Sequence, residues 1–159
     1  MEENMQEKIS EPLAQPLAPS SPPVKLWTPG VIAAIALLLG FPAGIVLASI
    51  NWMRMKMNNK ALTHLSVGIV GTLIFIVLVI LLPGNVGTVV GLATNLATLF
   101  YLQREMKKDL EIFKASNNTV EKANELGGCL IGLGILALLF ISVIALTLVF
   151  AVLGVPIPE

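Results

Sequence analysis

The sequence predicts an all-α integral membrane four-helix bundle with a disordered, Pro-rich N-terminal tail. Three observations predict it. Of 159 residues, 55% are hydrophobic and only 13% are charged, against roughly 25% charged in an ordinary soluble domain. The apolar residues are gathered into blocks of about 20, the length a helix needs to cross some 30 Å of hydrocarbon. Those blocks contain no Asp, Glu, Lys or Arg.

Residues 1–28 carry Pro12, Pro16, Pro19, Pro22 and Pro23 among Ser, Ala and Gln, with no helical or strand periodicity. They are expected to be disordered or partly polyproline II. Pro16 to Pro19 and Pro19 to Pro22 fit PxxP, but no basic residue flanks them closely, and the segment is taken as a flexible leader. Its polar start is unlike the apolar core of a secretory signal, so the first apolar block is expected to stay in the membrane.

That block, 29–50, is the first expected span. Pro29 suits a first helical turn, and Trp27 and Trp52 bracket the block as interfacial anchors. The second span is placed at 61–82. Pro83-Gly84-Asn85 is a turn signal, so the third span, 84–103, follows as the return arm of an antiparallel pair. The fourth is placed at 128–153, before a short C-terminal tail, 154–159, with Pro156 and Pro158. Together the spans form a transmembrane domain over 29–153. In the polar loop 104–127, Leu102, Met106, Leu110 and Phe113 recur at helical spacing and extend the third span as an amphipathic helix to Ala115. A second short helix is expected through Val120 to Leu126.

Lys and Arg near span ends set orientation. With four spans, one side holds Arg54, Lys56, Lys60, Arg104, Lys107, Lys108, Lys114 and Lys122, and the other only Lys8 and Lys25. Loops 51–60 and 104–127 are therefore expected in the cytoplasm of a cell (plasma) membrane protein, and both termini outside.

The lack of an intramembrane ionisable group argues against an ion-coupled transporter or proton pump, which usually keeps one as a coupling site. His64 has no second His or acid near it in sequence and is taken as an interfacial residue rather than a metal or proton site. Cys129 is the one cysteine. No nucleophile, P-loop or metal-ligand motif occurs. The expectation is therefore no enzyme activity, with no catalytic residue, cofactor or metal site. Zero formal net charge gives no nucleic-acid footprint.

The positive signals concern packing. Ala36, Gly40, Gly44 and Ala48 recur every four residues, Gly87 and Gly91 lead the same rhythm into Asn95, and Gly128 and Gly132 repeat it. Small residues at this spacing let helix backbones approach in lipid. Pro42 should kink the first span. Thr88, Asn95 and Thr98 share one face of the third span and form a candidate polar path, which should face protein because lipid offers no hydrogen-bond partner.

Leu39-Gly40-Phe41-Pro42-Ala43-Gly44 followed by Asn51-Trp52-Met53-Arg54 resembles a pattern in a group of uncharacterised small bacterial multi-pass membrane proteins. There, Leu-Gly, Pro and Ala-Gly in the first span precede an Asn, an aromatic and a basic residue at its cytoplasmic edge. The resemblance implies a bacterial inner membrane and no particular activity. The expected function is binding of a partner or membrane organisation, with the lipid bilayer, a second copy or another membrane protein as partners. The alternative is an oligomeric small transporter or channel subunit using the polar path.

Overall fold

The computed structural model describes residues 22–82, 84–116 and 118–154. Residues 1–21 of the expected disordered tail and 155–159 of the C-terminal tail lie outside these. The chain runs β1 (Val24–Leu26), α1 (Pro29–Leu39), α2 (Phe41–Arg54), α3 (Asn58–Leu81), α4 (Gly84–Ala115), β2 (Val120–Lys122) and α5 (Glu125–Val152). Three helices, α3, α4 and α5, are long and apolar enough to cross a membrane.

The single helix expected over 29–50 is two helices in the structure, and among the described residues three helices, not four, have the length and apolarity to cross a membrane. The break falls at Gly40, whose φ of 92° and ψ of 157° a residue with a Cβ rarely adopts. The chain reverses there. A Cβ on Gly44 would lie 2.5 Å from Ala36 Cβ. Further from the turn, the Asn51 side chain accepts from Trp27 N–H at 3.2 Å and donates to Trp27 O at 2.7 Å, and Arg54 donates to Lys25 O at 2.9 Å. These pairs are nearly symmetric about Gly40, so α1 and α2 are the arms of one antiparallel hairpin. Each arm is short: the 11 residues of α1 rise about 16 Å.

Two expectations about this region change accordingly. Pro42 does not kink a span; it sits in the first turn of α2, where its missing N–H is no loss. Trp27 and Trp52 are not anchors at opposite ends of a span. Both are buried, and both lie at the open end of the hairpin.

That open end is a folded layer. Residues 24–26, expected to be disordered, form β1, which pairs in parallel with β2 through Val24 and Val120. β2 stands where a second short helix was expected. Thr28 caps α1 by accepting from Val31 N–H at 3.3 Å, and Asn124 caps α5 by accepting from Leu126 N–H at 3.0 Å. Helix α4 runs unbroken to Ala115, with Leu102, Met106 and Phe113 buried as their spacing predicts. After α2, Met57 N–H bonds Trp52 O and Lys56 N–H bonds Met53 O, with Lys56 at φ 62°. This is a Schellman turn, and it feeds α3 back along the hairpin.

The hairpin fills the centre of the other helices. α2 touches α1, α3, α4 and α5. Ile32, Leu47, Ala48, Trp52, Leu102 and Met106 make the core, which therefore lies beside the hairpin and under the open end. Helix α5 packs on the hairpin through Gly128, against Trp27 and Ile35, and through Gly132, against Leu39 and Ile35. Beyond this contact it continues to Val152 with no buried side chain and with most of its large ones, among them Leu138, Phe140, Ile141 and Leu148, exposed.

Candidate functional site

Two features beside the hairpin combine polar groups and space. The first is a side-chain network joining the ends of α2, α3 and α4. Glu105 and Asp109 stand one turn apart on α4, so they share a face. Lys60, near the start of α3, bridges them, with Nζ 2.7 Å from Glu105 Oε2 and 2.7 Å from Asp109 Oδ2. Trp52 Nε1–H donates to the same Asp109 oxygen at 2.6 Å. Asp109 is 6% exposed and Trp52 is fully buried. A buried carboxylate is tolerable only when paired and hydrogen-bonded, and Lys60 and Trp52 meet that need.

His64 extends the network. Its ring lies against Trp52, with centroids 4.4 Å apart, and beside Tyr101, with centroids 5.9 Å apart. Nδ1 is 2.8 Å from Lys60 O and Nε2 is 2.8 Å from the Tyr101 hydroxyl. A carbonyl can only accept, so Nδ1 carries the proton and donates; in the neutral ring Nε2 then accepts from Tyr101. Both ring nitrogens are engaged, and both carboxylates face Lys60. Among the described residues, no group of three or more His, Cys, Asp or Glu side chains is placed to hold a metal ion.

The second feature is a cavity of about 490 Å³ between α2, α3 and α4. Its mouth is made by Thr63, His64 and Tyr101 at the charged end of the molecule. Its deep end reaches Phe41, Gly71 and Thr94 beside the hairpin tip. A smaller, apolar cavity of about 280 Å³ lies on the other side of Ile45 and Gly68, toward α5. The two are kept apart by close contact: a Cβ on Gly68 would lie 2.7 Å from Ile45 Cγ2. A largely apolar pocket with a few converging polar groups is the usual form of a small-ligand site.

The residues singled out from the sequence are distributed as follows. Ala36 and Gly44 face each other across the hairpin, and Gly40 forms its turn. Ala48 is fully buried in α2. Gly128 and Gly132 seat α5 on the hairpin, and a Cβ on Gly91 would lie 3.4 Å from Phe75 Cζ of α3. Gly87 is buried and Thr88 exposed on α4. Asn95 Oδ1 accepts from Phe41 N–H at 2.8 Å, so it caps α2 at the hairpin tip. Thr98 lines the large cavity. Within one chain the three residues of the expected polar path have different surroundings: Thr88 is exposed, Asn95 is bonded at the hairpin tip and Thr98 lines the cavity.

The network was not picked out from the sequence, although one signal was there. Leu102, Met106, Asp109 and Phe113 recur at three or four residues, so Asp109 falls within the buried stripe of α4. An acid in that position requires a partner from another element. Nothing local in the sequence points to Trp52 and Lys60 as the partners.

Comparison with known protein families, curated proteins and solved structures finds no match to this chain.

Proposed function

We propose that the protein is an integral membrane protein with a re-entrant α1–α2 hairpin and three crossing helices, and that it works by binding a partner at its charged end. The supporting observation is the placement of the basic residues. All Lys and Arg except Lys8 lie among the described residues, in β1, the last residue of α2, the α2–α3 turn, the start of α3 and the segment 104–122. Each of these is at the open end of the hairpin. The opposite end, the α3–α4 turn and the end of α5, has none.

With a hairpin that enters and leaves by the same face, this end is cytoplasmic by the positive-inside rule. The N-terminus is then inside and the C-terminus outside. The asymmetry is more complete than with four spans, which would leave Lys25 across the membrane from Arg54. The half-depth of the hairpin agrees with this placement, since about 16 Å reaches only the middle of a 30 Å hydrocarbon core. Irregular backbone at that depth is tolerated where protein covers it, and Asn95 covers Phe41 N–H.

The binding surface is the exposed face of the α4 extension, with Arg104, Lys107, Lys108 and Lys114 around the half-exposed Ile112. Among the described residues this end carries nine Lys and Arg against five Asp and Glu, and Glu105 and Asp109 are engaged by Lys60, so the partner surface is acidic. Conduction has less support, because Asn95 is engaged at the hairpin tip and Thr94 bonds Val90 O within its own helix.

Two measurements test this. Fluorescent-protein and alkaline-phosphatase fusions should report the N-terminus inside and the C-terminus outside; an N-terminus outside would restore four crossings. A photo-crosslinker at Lys108 should give a discrete adduct in cells that a Lys107→Glu/Lys114→Glu variant loses, whereas one at Leu138 gives none. No adduct at Lys108 would refute the partner surface.

A further inference from the structure

We infer that the cavity between α2, α3 and α4 holds one acyl chain of a glycerophospholipid, with the ester carbonyl of that chain hydrogen-bonded to Thr98. The inference rests on the bilayer placement proposed above and extends it to a specific ligand.

The hydroxyls of the helices supply the first observation. Thr63, Thr72, Thr94, Ser142 and Thr147 each donate to the carbonyl four residues earlier in their own helix. This is how a hydroxyl is satisfied in an apolar setting without outside help. The hydroxyl of Thr98, half-buried in the cavity wall, has no hydrogen bond among the described residues, as is also true of Ser49 and Ser66, but of these three it alone lines the cavity. A hydroxyl without a partner there loses a hydrogen bond that a ligand can supply.

The shape and polarity of the cavity identify that ligand. On α3 its wall runs from Thr63 to Gly71, a rise of about 12 Å, along the direction in which a lipid chain lies. The deep part is Phe41, Ile45, Val67 and the glycines, which offer water too few partners to stay. The mouth carries the Tyr101–His64 pair, and the exposed Arg104 follows Tyr101 by three residues. Thr98 precedes Tyr101 by three residues, about 4.5 Å deeper. A phosphate reached by the long Arg104 side chain, an ester carbonyl at Thr98, six residues or about 9 Å along the helix from Arg104, and hydrocarbon beneath that follow the polarity order of an acyl glycerophospholipid. A free fatty acid has no second polar group at the depth of Thr98.

Gly71 allows a direct test, because a Cβ there would have no atom within 4 Å. Gly71→Leu should fill the cavity without disturbing the fold. The full chain, purified in detergent and stripped of lipid, is titrated with dioleoyl phosphatidylglycerol, with its diether analogue and with oleic acid. Binding is read by native mass spectrometry and by the shift in melting temperature. The wild type should bind one phosphatidylglycerol at least tenfold more tightly than the diether analogue or oleic acid. Gly71→Leu should lose this site while keeping the lipid-free melting temperature. Thr98→Val, close to isosteric, should bind ester and ether lipids alike. Equal binding of ester and ether lipid by the wild type would overturn the Thr98 contact, and undiminished one-to-one binding by Gly71→Leu would overturn the cavity as the site. A chain that is folded without detergent would instead defeat the membrane placement itself.

Discussion

The α1–α2 hairpin and α5 are built from the same residue types, aliphatics with interspersed Gly and Ala, and the molecule uses them in opposite ways. The hairpin buries Ile32, Ala33, Ile35 and Ala36 on one arm and Phe41 to Gly44, Leu47 to Ser49, Asn51 and Trp52 on the other. Helix α5 buries only Gly128 and Gly132. One segment is apolar because protein surrounds it, the other because lipid can. Hydropathy cannot separate these cases, since both remove the chain from water at the same apparent gain. The difference lies in backbone geometry and in where polar side chains find partners.

The sharpest way to break this comparison is to make the same substitution in both elements. Gly44→Leu places a Cβ 2.5 Å from Ala36 Cβ and 3.3 Å from its backbone Cα, where nothing can yield without opening the hairpin. A loss of about 3 kcal/mol or more is expected from such overpacking. Gly134→Leu in α5 meets no atom within 4 Å and should be close to neutral. Denaturation midpoints in detergent, measured side by side, check both. Equal effects would mean that the arms of the hairpin do not pack on each other.

The next largest effect is expected at the open end. Asp109→Ala leaves Lys60 with Glu105 alone and leaves the buried indole N–H of Trp52 without an acceptor. Removing one member of a buried pair costs about 3–5 kcal/mol where the partner is fully enclosed. The Lys60 side chain is 28% exposed and can recover some hydration, so about 2–3 kcal/mol is the expectation for Asp109→Ala. Lys60→Met should cost at least as much as Asp109→Ala, because it leaves the buried Asp109 carboxylate with the indole alone and no counter-charge. A clearly smaller loss for Lys60→Met would mean that the Trp52 hydrogen bond, rather than the ion pair, holds Asp109 in place.

These elements were legible from the sequence to different degrees. The apolar character of α3, α4 and α5 could be read from long uncharged blocks, and the extension of α4 to Ala115 from the spacing of its buried residues. The hairpin could not be read from hydropathy, because 29–50 has the length and composition of a crossing helix. The cues lay in particular residues. Gly40 and Pro42 stand at the middle of the block, leaving halves too short to cross. Trp27 and Asn51 flank it as a matched pair. Lys25 and Arg54 sit on either side with the same charge sign. The contact between Asn95 and Phe41 N–H was beyond sequence reasoning, because it joins residues 54 apart whose only local signature is one Asn in an apolar helix.

That contact gives a smaller and more specific effect. Asn95→Leu keeps the volume and apolarity of α4 but leaves Phe41 N–H unpaired at the hairpin tip. Side-chain hydrogen bonds between membrane helices average about 0.6 kcal/mol, and an orphaned buried N–H adds to that; a loss of about 1–2 kcal/mol is expected. Local opening should accompany it, so amide hydrogen exchange should accelerate at residues 41–44 and stay unchanged in α5. Faster exchange spread evenly over all helices would show that Asn95 acts on the whole assembly and not on the tip.

The smallest effect has the opposite sign. Ser49 lies in the most enclosed part of α2, 1% exposed, and its hydroxyl has no partner among the described residues. Every other fully buried polar side chain in this region is matched, Asn51 doubly so through Trp27. An unpaired buried hydroxyl is a net cost, and replacing it with a methyl group removes that cost along with one small atom. Ser49→Ala should therefore raise the denaturation midpoint, by about 0.5–1 kcal/mol in stability, whereas Asn51→Ala, two residues along the same helix, should lower it. The pair separates two origins of the hairpin's stability. If enclosure by apolar surface alone held α2 in place, both truncations would shift the midpoint in the same direction. Opposite shifts would show that hydrogen-bond matching within the enclosed segment decides which polar residues it can hold.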